Sequence, residues 1–314
     1  MSDSPVSISV VLPTHNGESL LRRALRPLVT QTLPASEYEV IVVDNGSTDG
    51  TRAILDEFSR MHGVLHLQES RLGAAVARNT GWRAARGEWV AFVDDDVSVP
   101  PDWLESILES IASSDATVAC VGGPVRPIWE ASRPPWLHDG LLWSLSIIDW
   151  GDMRRELVDV PQEWLVSANM AVRRDTLQEL GGFHPDLDKI GDRHLGNGET
   201  HLQRRLISAG HVCIFDPEVS VEHCVRATRL TQAWFLSRCY QQGLSDFAVG
   251  LIDSNIGMWR RCYTAAGMMF RLTGSGRNLA VLLTATEDPS EFRRKCHLVV
   301  KAGYIAGLMG ALGR

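Results

Sequence analysis

The first hundred residues alternate between short apolar runs and amphipathic stretches, and this alternation limits the possible folds more than any other feature. Four runs have the length and the apolar content of strands: residues 7–12, 39–43, 64–68 and 89–93. Three stretches between them have apolar residues at helical spacing: residues 20–31, 48–61 and 74–85. Pro13 is expected to stop the first strand. Strands alternating with helices predict an α/β fold with a mostly parallel sheet flanked by helices.

Polar side chains follow three of the predicted strands, at the point where each strand ends. They are Thr14, His15 and Asn16 after the first, Asp44, Asn45 and Ser47 after the second, and Asp94, Asp95 and Asp96 after the fourth. The carboxyl ends of parallel strands meet at one edge of the sheet, and open α/β sheets bind their ligands there. The sequence therefore predicts a ligand site at this edge.

The three consecutive aspartates are the most specific part of that edge. Crowded carboxylates repel one another unless a cation or strong hydrogen-bond donors neutralise them. Hard oxygen ligands on a short loop suit Mg²⁺ or Mn²⁺, ions that commonly also hold the phosphates of a substrate. The alternative is an acidic, solvated loop or a helix N-cap, since Pro100, Pro101 and Asp102 open the next predicted helix.

Composition excludes several classes of protein. The net charge of −7 and the pI near 5.8 argue against nucleic-acid binding, which needs a basic face. The six cysteines form no C-x-x-C pair and have no zinc spacing, so we expect a reduced, cytoplasmic protein. The N-terminus has no basic stretch of the kind that opens a signal peptide. No run of eighteen apolar residues predicts a transmembrane helix.

The pattern changes after residue 121. Four tryptophans recur at intervals of seven: Trp129, Trp136, Trp143 and Trp150. Pro134 and Pro135 would break a continuous helix there, so we expect an irregular lobe anchored by aromatic side chains, with a mobile substrate-binding segment as the alternative. Residues 225–314 predict helices over 230–243, over 257–273 and from 278 onward.

The order of these motifs resembles the family 2 glycosyltransferases across roughly residues 6–245. The matching segments are residues 10–16, 40–50, 73, 77–81, 85–96, 167–174, 181–183 and 223. The resemblance implies the GT-A fold and inverting transfer of a sugar from a nucleotide-diphosphate sugar, most often of UDP. The acceptor would be a hydroxyl on a glycan, a lipid-linked glycan or a small molecule. It also implies a glycosyltransferase domain over 1–224, with a donor half (1–121) and an acceptor half (122–224), and a helical extension over 225–314.

The resemblance assigns the donor site to eight residues: Pro13, Thr14, Asn16, Asp44, Asn45, Arg78, Asp94 and Asp95. Asp44 can accept a hydrogen bond from the uracil imide or a ribose hydroxyl, with helix capping as its alternative role. Arg78 is expected to reach the donor or to pair with a structural carboxylate. Asn169 and His201 are expected on the acceptor side.

The resemblance also implies a metal site and a catalytic base. Asp96 and His223 are the expected metal ligands, and His223 would end a strand made of residues 213–215 and 219–221. A neutral imidazole suits Mn²⁺ better than Mg²⁺. The family usually writes its base motif as Gly-Glu-Asp-x-Glu-Leu, whereas this chain places Glu199 at the Asp position and His201 at the later Glu. Glu199 is the expected base, with His201 as its rival.

The sequence is also compatible with two other functions and with one further contact. A non-catalytic nucleotide-sugar-binding homologue would explain the altered base motif, and a sugar nucleotidyltransferase would need a Gly-rich basic loop where this chain has Pro13–Gly17. The C-terminal helices carry a basic cluster at residues 293–295 before an apolar run. They predict either peripheral contact with the cytoplasmic face of a membrane or an ordinary docking helix. Gly303 and Gly307 would let another helix approach closely.

Overall fold

The computed structural model of the protein describes residues 6–158, 160, 162–187, 189–190, 193–253, 264, 266–269 and 276–310. The chain divides into two compact units. The first unit comprises residues 1–128, 147–185 and 198–224, and the second comprises residues 129–146, 186–197 and 225–314. Two segments that precede the predicted boundary at residue 224 therefore belong to the second unit, and that predicted boundary stays a prediction.

The first unit opens with the alternation that the sequence predicts. Its first four strands are β1 (Ile8–Thr14), β2 (Tyr38–Asp44), β3 (Leu65–Gln68) and β4 (Trp89–Phe92). The helices between them are α1 (Leu21–Leu28), α2 (Thr51–His62) and α3 (Ala74–Ala84). β1 pairs in parallel with β2 and β4, and β2 pairs in parallel with β3. The α/β fold with its parallel sheet is confirmed.

Nine further strands and three further helices follow among the described residues up to residue 225, and two of these strands, β10 and β11, belong to the second unit. The strands are β5 (Val97–Ser98), β6 (Val118–Gly122), β7 (Val125–Trp129), β8 (Arg155–Glu156), β9 (Met170–Arg173), β10 (Lys189–Ile190), β11 (Arg193–His194), β12 (Val212–Phe215) and β13 (Val221–Val225). The helices are α4 (Trp103–Ala112), α5 (Arg174–Leu180) and α6 (Gly198–Ser208). The large sheet has the order β3-β2-β1-β4-β9-β6-β12-β8, with β9 antiparallel to both of its neighbours. A small sheet has the order β5-β13-β7, and β10 pairs with β11.

The core of the first unit lies on both faces of the large sheet. Every residue of β1 and of β4 is buried, as expected for strands that helices cover on both faces. The inward face of α2, formed by Ile54, Leu55 and Phe58, is buried as its helical spacing predicts. The apolar strands thus fix the sheet, and the sheet fixes where its polar carboxyl edge lies.

The first strand does not stop at Pro13, which corrects the sequence prediction. β1 continues to Thr14, and Pro13 is in register with Val43 of β2. The Val11 carbonyl accepts from the Val93 N–H, so the backbone hydrogen-bonding groups of Val11 face β4. The backbone of Pro13, two residues later, faces the same side. β4 has already ended at Phe92. The missing N–H of Pro13 therefore removes no ladder hydrogen bond, and the strand tolerates the proline.

The second unit is mainly helical. It contains a 3-10 helix at Asp139–Leu145 and the helices α7 (Gln232–Asp253), α8 (Gly276–Leu283) and α9 (Pro289–Leu308). Trp136 packs edge to face against Phe235 and Phe292, with ring centroids 5.4 and 4.8 Å apart. This aromatic cluster confirms the predicted anchoring role for Trp136. The predicted helix over 257–273 lies largely outside the described residues.

Close contact between α7 and α9 explains the small residues near the C-terminus. A Cβ atom on Gly243 would collide with the carbonyl of Val300, and one on Gly303 would collide with the carbonyl of Tyr240. A Cβ on Gly307 would meet the ring of Phe247. The glycines therefore serve packing within the unit, as the docking-helix alternative predicts. Among the described helices, none is both long enough and apolar enough to cross a membrane.

Candidate active site

The carboxyl edge of the parallel strands brings the predicted loops into direct contact. The Asn45 N–H donates to the Thr14 carbonyl at 2.8 Å, which joins the ends of β1 and β2. Thr14 Oγ1 donates to Asp95 Oδ2 at 2.6 Å, which joins the end of β1 to the segment after β4. The structure therefore confirms that these loops meet at one edge of the sheet.

Each carboxylate of the aspartate triplet has a different partner. Arg78 Nη2 on α3 pairs with Asp94 Oδ1 at 2.6 Å. Thr14 donates to Asp95, and His223 Nε2 lies 3.1 Å from Asp96 Oδ2. A guanidinium, a hydroxyl and an imidazole thus offset the mutual repulsion of the three carboxylates. Arg78 was expected either to reach the sugar donor or to pair with a carboxylate, and the structure shows the pairing. Its partner, Asp94, is itself one of the residues predicted to bind the sugar donor.

His223 reaches Asp96 through a strand arrangement that differs from the prediction. It lies in the middle of β13 and not at the end of a strand continuous with β12. β13 belongs to the small sheet, where His223 pairs with Val97 of β5 in antiparallel register. The Cys224 N–H also donates to the Asp96 carbonyl at 2.9 Å. This backbone pairing holds the imidazole beside the last aspartate.

The Asp96 and His223 pair fits a divalent cation. Both side chains are largely buried, with 11% and 4% of their surfaces exposed, so two ligand atoms stand side by side in a place that excludes most water. Carboxylate oxygen and imidazole nitrogen are both ligands that Mn²⁺ accepts. Within the described residues there is no group of three His, Cys, Asp or Glu side chains that could hold a metal. The remaining ligands would therefore be water and substrate phosphate oxygens, as is usual for such ions.

A small surface hollow lies beside the same aspartates. Its lining includes Asp95 and Asp96, together with Arg23, Ser98 and Glu222. Sequence analysis did not single out these three residues. Arg23 lies on α1, and nothing in its spacing distinguishes it from the other arginines of that helix.

Asp44 is buried at the end of β2, with 5% of its surface exposed. Its Oδ1 accepts the Ser47 N–H at 3.0 Å. In the first turn of α2, the Thr51 N–H donates to Asp49 Oδ1 at 3.1 Å. The hydrogen bond from the Thr51 hydroxyl is the main reason that the pKa of Asp49 lies below its usual value. Asp49 thus takes the capping role that was the alternative for Asp44.

Asn45 and Asn16, both expected to contact the donor, hold loop backbone. Asn45 Nδ2 donates to the carbonyls of Glu69 and Arg71 at 3.0 and 2.9 Å, and its Oδ1 accepts the Gly73 N–H at 2.7 Å. Asn16 Oδ1 accepts the Thr48 N–H at 2.8 Å. Both side chains therefore fix the shape of the loops around the site, and their donor contacts remain predictions.

Asn169, which is expected on the acceptor side, makes its observed hydrogen bonds within the protein, and its acceptor role stays a prediction. The residue is completely buried, its Oδ1 accepts from Trp103 Nε1 at 2.9 Å, and its Nδ2 donates to the carbonyls of Pro124 and Val219 at 3.2 and 2.6 Å. A buried amide must satisfy its polar atoms, and here backbone and indole groups satisfy them. In this structure Asn169 joins two backbone segments and a helix.

The two candidate bases differ in accessibility. Glu199 is the second residue of α6 and is partly exposed. His201 lies on the same turn but is only 3% exposed, and its ring packs edge to face against His184 at 5.7 Å. A base must reach the proton that it removes, so the accessible carboxylate is the better placed of the two.

The large sheet carries an aspartate triplet at its carboxyl edge and is continued by antiparallel β9, and a histidine of the small sheet lies beside the triplet. This is the architecture of a GT-A enzyme. A mannosyltransferase from Pyrobaculum calidifontis, solved with GDP-Man and Mn²⁺, matches the chain with a TM-score of 0.63 and 22% identity, over 98% of this chain and 90% of that one. At this identity the likeness shows the fold alone, and the GT-A fold is confirmed.

The family is shown by sequence. The model of glycosyl transferase family 2 matches residues 9–180. The chain is 30% identical over 248 residues to glycosyltransferase AglE of Haloferax volcanii. The aligned residues cover 78% of this chain and 75% of that relative. It is 26% identical over 289 residues to a glucosyl-dolichyl phosphate glucuronosyltransferase of the same organism, over 91% and 88% of the two chains. The chain belongs to glycosyl transferase family 2, and it is a glycosyltransferase.

Proposed function

We propose that the protein transfers a sugar from a nucleotide-diphosphate sugar to a hydroxyl acceptor, with inversion at the anomeric carbon. The observation that carries this proposal is the partnered aspartate triplet, with Asp94 held by Arg78 and Asp96 held beside His223. These groups lie at the carboxyl edge of the sheet, where α/β enzymes bind their ligands. The GDP-Man and Mn²⁺ named with the structural neighbour support a nucleotide-sugar donor and a cation.

Asp44 favours a base with an imide N–H, which is the base of UDP or of dTDP, and UDP is the more common donor nucleotide in the family that the chain resembles. One oxygen of the Asp44 carboxylate already accepts the Ser47 N–H, which leaves the other oxygen for a ligand. The imide N–H of uracil is a single donor and matches a single acceptor, whereas the edge of guanine presents two neighbouring donors. Backbone around Pro13 and Thr14 lines the base pocket in this proposal, and Asp94 and Asp95 lie near the ribose and sugar.

Asp96 and His223 would hold Mn²⁺ or Mg²⁺, with Mn²⁺ favoured by the imidazole ligand. A cation bound there offsets the negative charge that develops on the departing diphosphate. The protein contributes a fixed and largely dry pair of ligands, because β13 and β5 hold His223 against Asp96. Arg78 holds the Asp94 carboxylate in one orientation toward the donor.

Glu199 acts as the general base. Its carboxylate takes the proton from the acceptor hydroxyl while the acceptor oxygen forms a bond to the anomeric carbon. The bond from that carbon to the diphosphate oxygen breaks on the opposite face, and the electron pair leaves with the nucleoside diphosphate. One displacement inverts the configuration, and no residue of the chain forms a covalent bond to the sugar.

A donor panel tests the proposed function. Nucleoside diphosphate release is measured for UDP, GDP and dTDP sugars, each with Mn²⁺, with Mg²⁺ and with EDTA. We expect release from a UDP sugar with Mn²⁺ and none with EDTA. Release of pyrophosphate would instead indicate a nucleotidyltransferase. Donor binding without turnover on every acceptor tried would indicate a non-catalytic homologue, and turnover of GDP sugars alone would correct the nucleotide.

The acceptor in this proposal is a lipid-linked or membrane-delivered glycan at the cytoplasmic face of a membrane. The relative named for glucosyl-dolichyl phosphate supports a lipid-linked acceptor. On α9, Arg293, Arg294 and Lys295 stand together, although Arg294 already donates to Asn278 and Lys295 to the Thr284 carbonyl. Each basic residue near an anionic surface adds about 1 kcal/mol to membrane binding.

Vesicle flotation tests the membrane contact. We expect the full chain to float at low salt with vesicles of phosphatidylcholine and phosphatidylglycerol, and to stay in solution with phosphatidylcholine alone. High salt should release it, because screening weakens the attraction. A variant with Gln at positions 293, 294 and 295 should float less. If the wild-type chain stays in solution under all these conditions, the cluster is structural and the acceptor reaches the enzyme from solution.

A further inference from the structure

Gln203 on α6 is a buried residue that neither the motifs nor the proposed chemistry accounts for. It is 0% exposed. Its Oε1 accepts the Leu165 N–H at 2.8 Å, and its Nε2 donates to the Leu165 carbonyl at 2.8 Å. The carboxamide thus pairs with the backbone of Leu165 in the way that a neighbouring strand would. This pair fixes α6 against the segment before β9.

The same amide also reaches the residue proposed as the base. Gln203 Nε2 donates to the backbone carbonyl of Glu199 at 3.0 Å. Glu199 and Gln203 are four residues apart, so they lie on the same face of α6, one turn from each other. The first turn of the helix, which carries Glu199, is therefore joined through one side chain to the fixed backbone of Leu165.

The beginning of α6 needs such support. The helix starts at Gly198, and glycine leaves the backbone more conformational freedom than any other residue. Asn197 before it has a φ of 71°, in the left-handed region that few residues other than glycine adopt. First turns of helices fray because their N–H groups lack helical partners. Asn197 itself donates to Asp246 Oδ1 at 2.8 Å and accepts from Gln242 Nε2 at 2.7 Å, whereas Gln203 restrains the backbone of the first turn that carries Glu199.

We propose that Gln203 is a positioning residue, which fixes the backbone of Glu199 so that its carboxylate meets the acceptor hydroxyl. This inference rests on the proposed role of Glu199 as the base. Glutamate has three side-chain torsions, so its carboxylate is placed accurately only if its Cα is fixed and the side chain packs well. A misplacement of about 1 Å at a reacting group can lower a rate about a hundredfold.

The chain contains a matched control for this residue. Gln31 makes the same three kinds of hydrogen bond: its Nε2 donates to the Pro27 carbonyl four residues earlier and to the distant Pro100 carbonyl, and its Oε1 accepts the Leu104 N–H. Gln31 follows α1 and is not part of the proposed machinery. Loss of its amide should therefore perturb the fold in a similar way without touching Glu199.

The test compares Gln203→Leu with Gln31→Leu, each in the wild-type chain and in a Glu199→Gln chain. The readouts are kcat and KM for nucleoside diphosphate release from the most active donor of the panel, with water as acceptor, and amide hydrogen exchange of peptides covering 198–208. We expect Gln203→Leu to lower kcat about tenfold or more with KM for the donor unchanged. Exchange should quicken in 198–208 for this variant and not for Gln31→Leu.

The double variant separates positioning from general damage. If Gln203 acts through Glu199, adding Gln203→Leu to Glu199→Gln should change the residual rate less than twofold, because the two losses are coupled. An equal loss in both backgrounds, or a wild-type rate for Gln203→Leu, would overturn the inference. If Glu199→Gln itself is fully active, the proposed base is wrong, which is a different failure. Should Gln203→Leu not fold, Gln203→Glu retains the acceptor for the Leu165 N–H and serves in its place.

Discussion

Replacing Asp96 by alanine is expected to lower metal-dependent turnover about a thousandfold, since a bound cation stabilises the charge of the leaving diphosphate by several kcal/mol. Asp96 Oδ2 lies 3.1 Å from His223 Nε2, so the substitution removes one of the two proposed protein ligands. Mn²⁺ binding, followed by titration calorimetry, should weaken together with the rate. Donor turnover is measured in parallel over a range of Mn²⁺ concentrations.

Two further variants make that result interpretable. Asp96→Asn retains the shape of the side chain beside the buried His223 and should fold like the wild type while binding Mn²⁺ weakly. Asp115→Ala removes an exposed carboxylate that accepts from Thr117 and should leave turnover unchanged. Wild-type activity of Asp96→Ala at ordinary Mn²⁺ concentrations would refute the assignment of Asp96 to the metal.

Glu199→Gln is expected to lower the rate of transfer about a hundredfold to ten-thousandfold, the usual contribution of a general base. The amide matches the carboxylate in shape and cannot take the proton. Nucleotide and Mn²⁺ binding should stay at wild-type levels, because the proposed donor and metal groups lie on other elements. Single-turnover measurement with saturating donor separates the chemical step from binding.

The comparison with His201 decides between the two candidate bases. Glu179→Gln is the matched surface control, since Glu179 on α5 is largely exposed and lies 3.8 Å from His211. It should transfer sugar at the wild-type rate. If His201→Ala is inactive while Glu199→Gln stays close to wild type, the base is His201, and its burial beside His184 becomes part of the mechanism.

The hydrogen-bond partners expected from the sequence differ from the observed ones mainly at buried carboxamide side chains. Asn45 and Asn169 lie in motifs that suggest ligand contact, and both satisfy their amides with backbone or indole groups. Gln203 lies in no motif that suggests ligand contact, and its side chain makes equally extensive hydrogen bonds. An amide that binds a ligand and one that binds backbone have the same sequence signal, because both need the same hydrogen-bonding groups.

The sequence by itself determined the parallel strands β1–β4, their helices and the meeting of Thr14, Asp44 and the aspartate triplet at one edge. These features follow from local apolar periodicity and from the rule that parallel strands end at the same side. The tertiary structure alone decided that His223 lies within β13, where it pairs with Val97, and that Gly243 on α7 lies against the Val300 carbonyl of α9. Such contacts join residues far apart in the chain, so they depend on how sheets and helices pack and leave no periodic signal in the sequence.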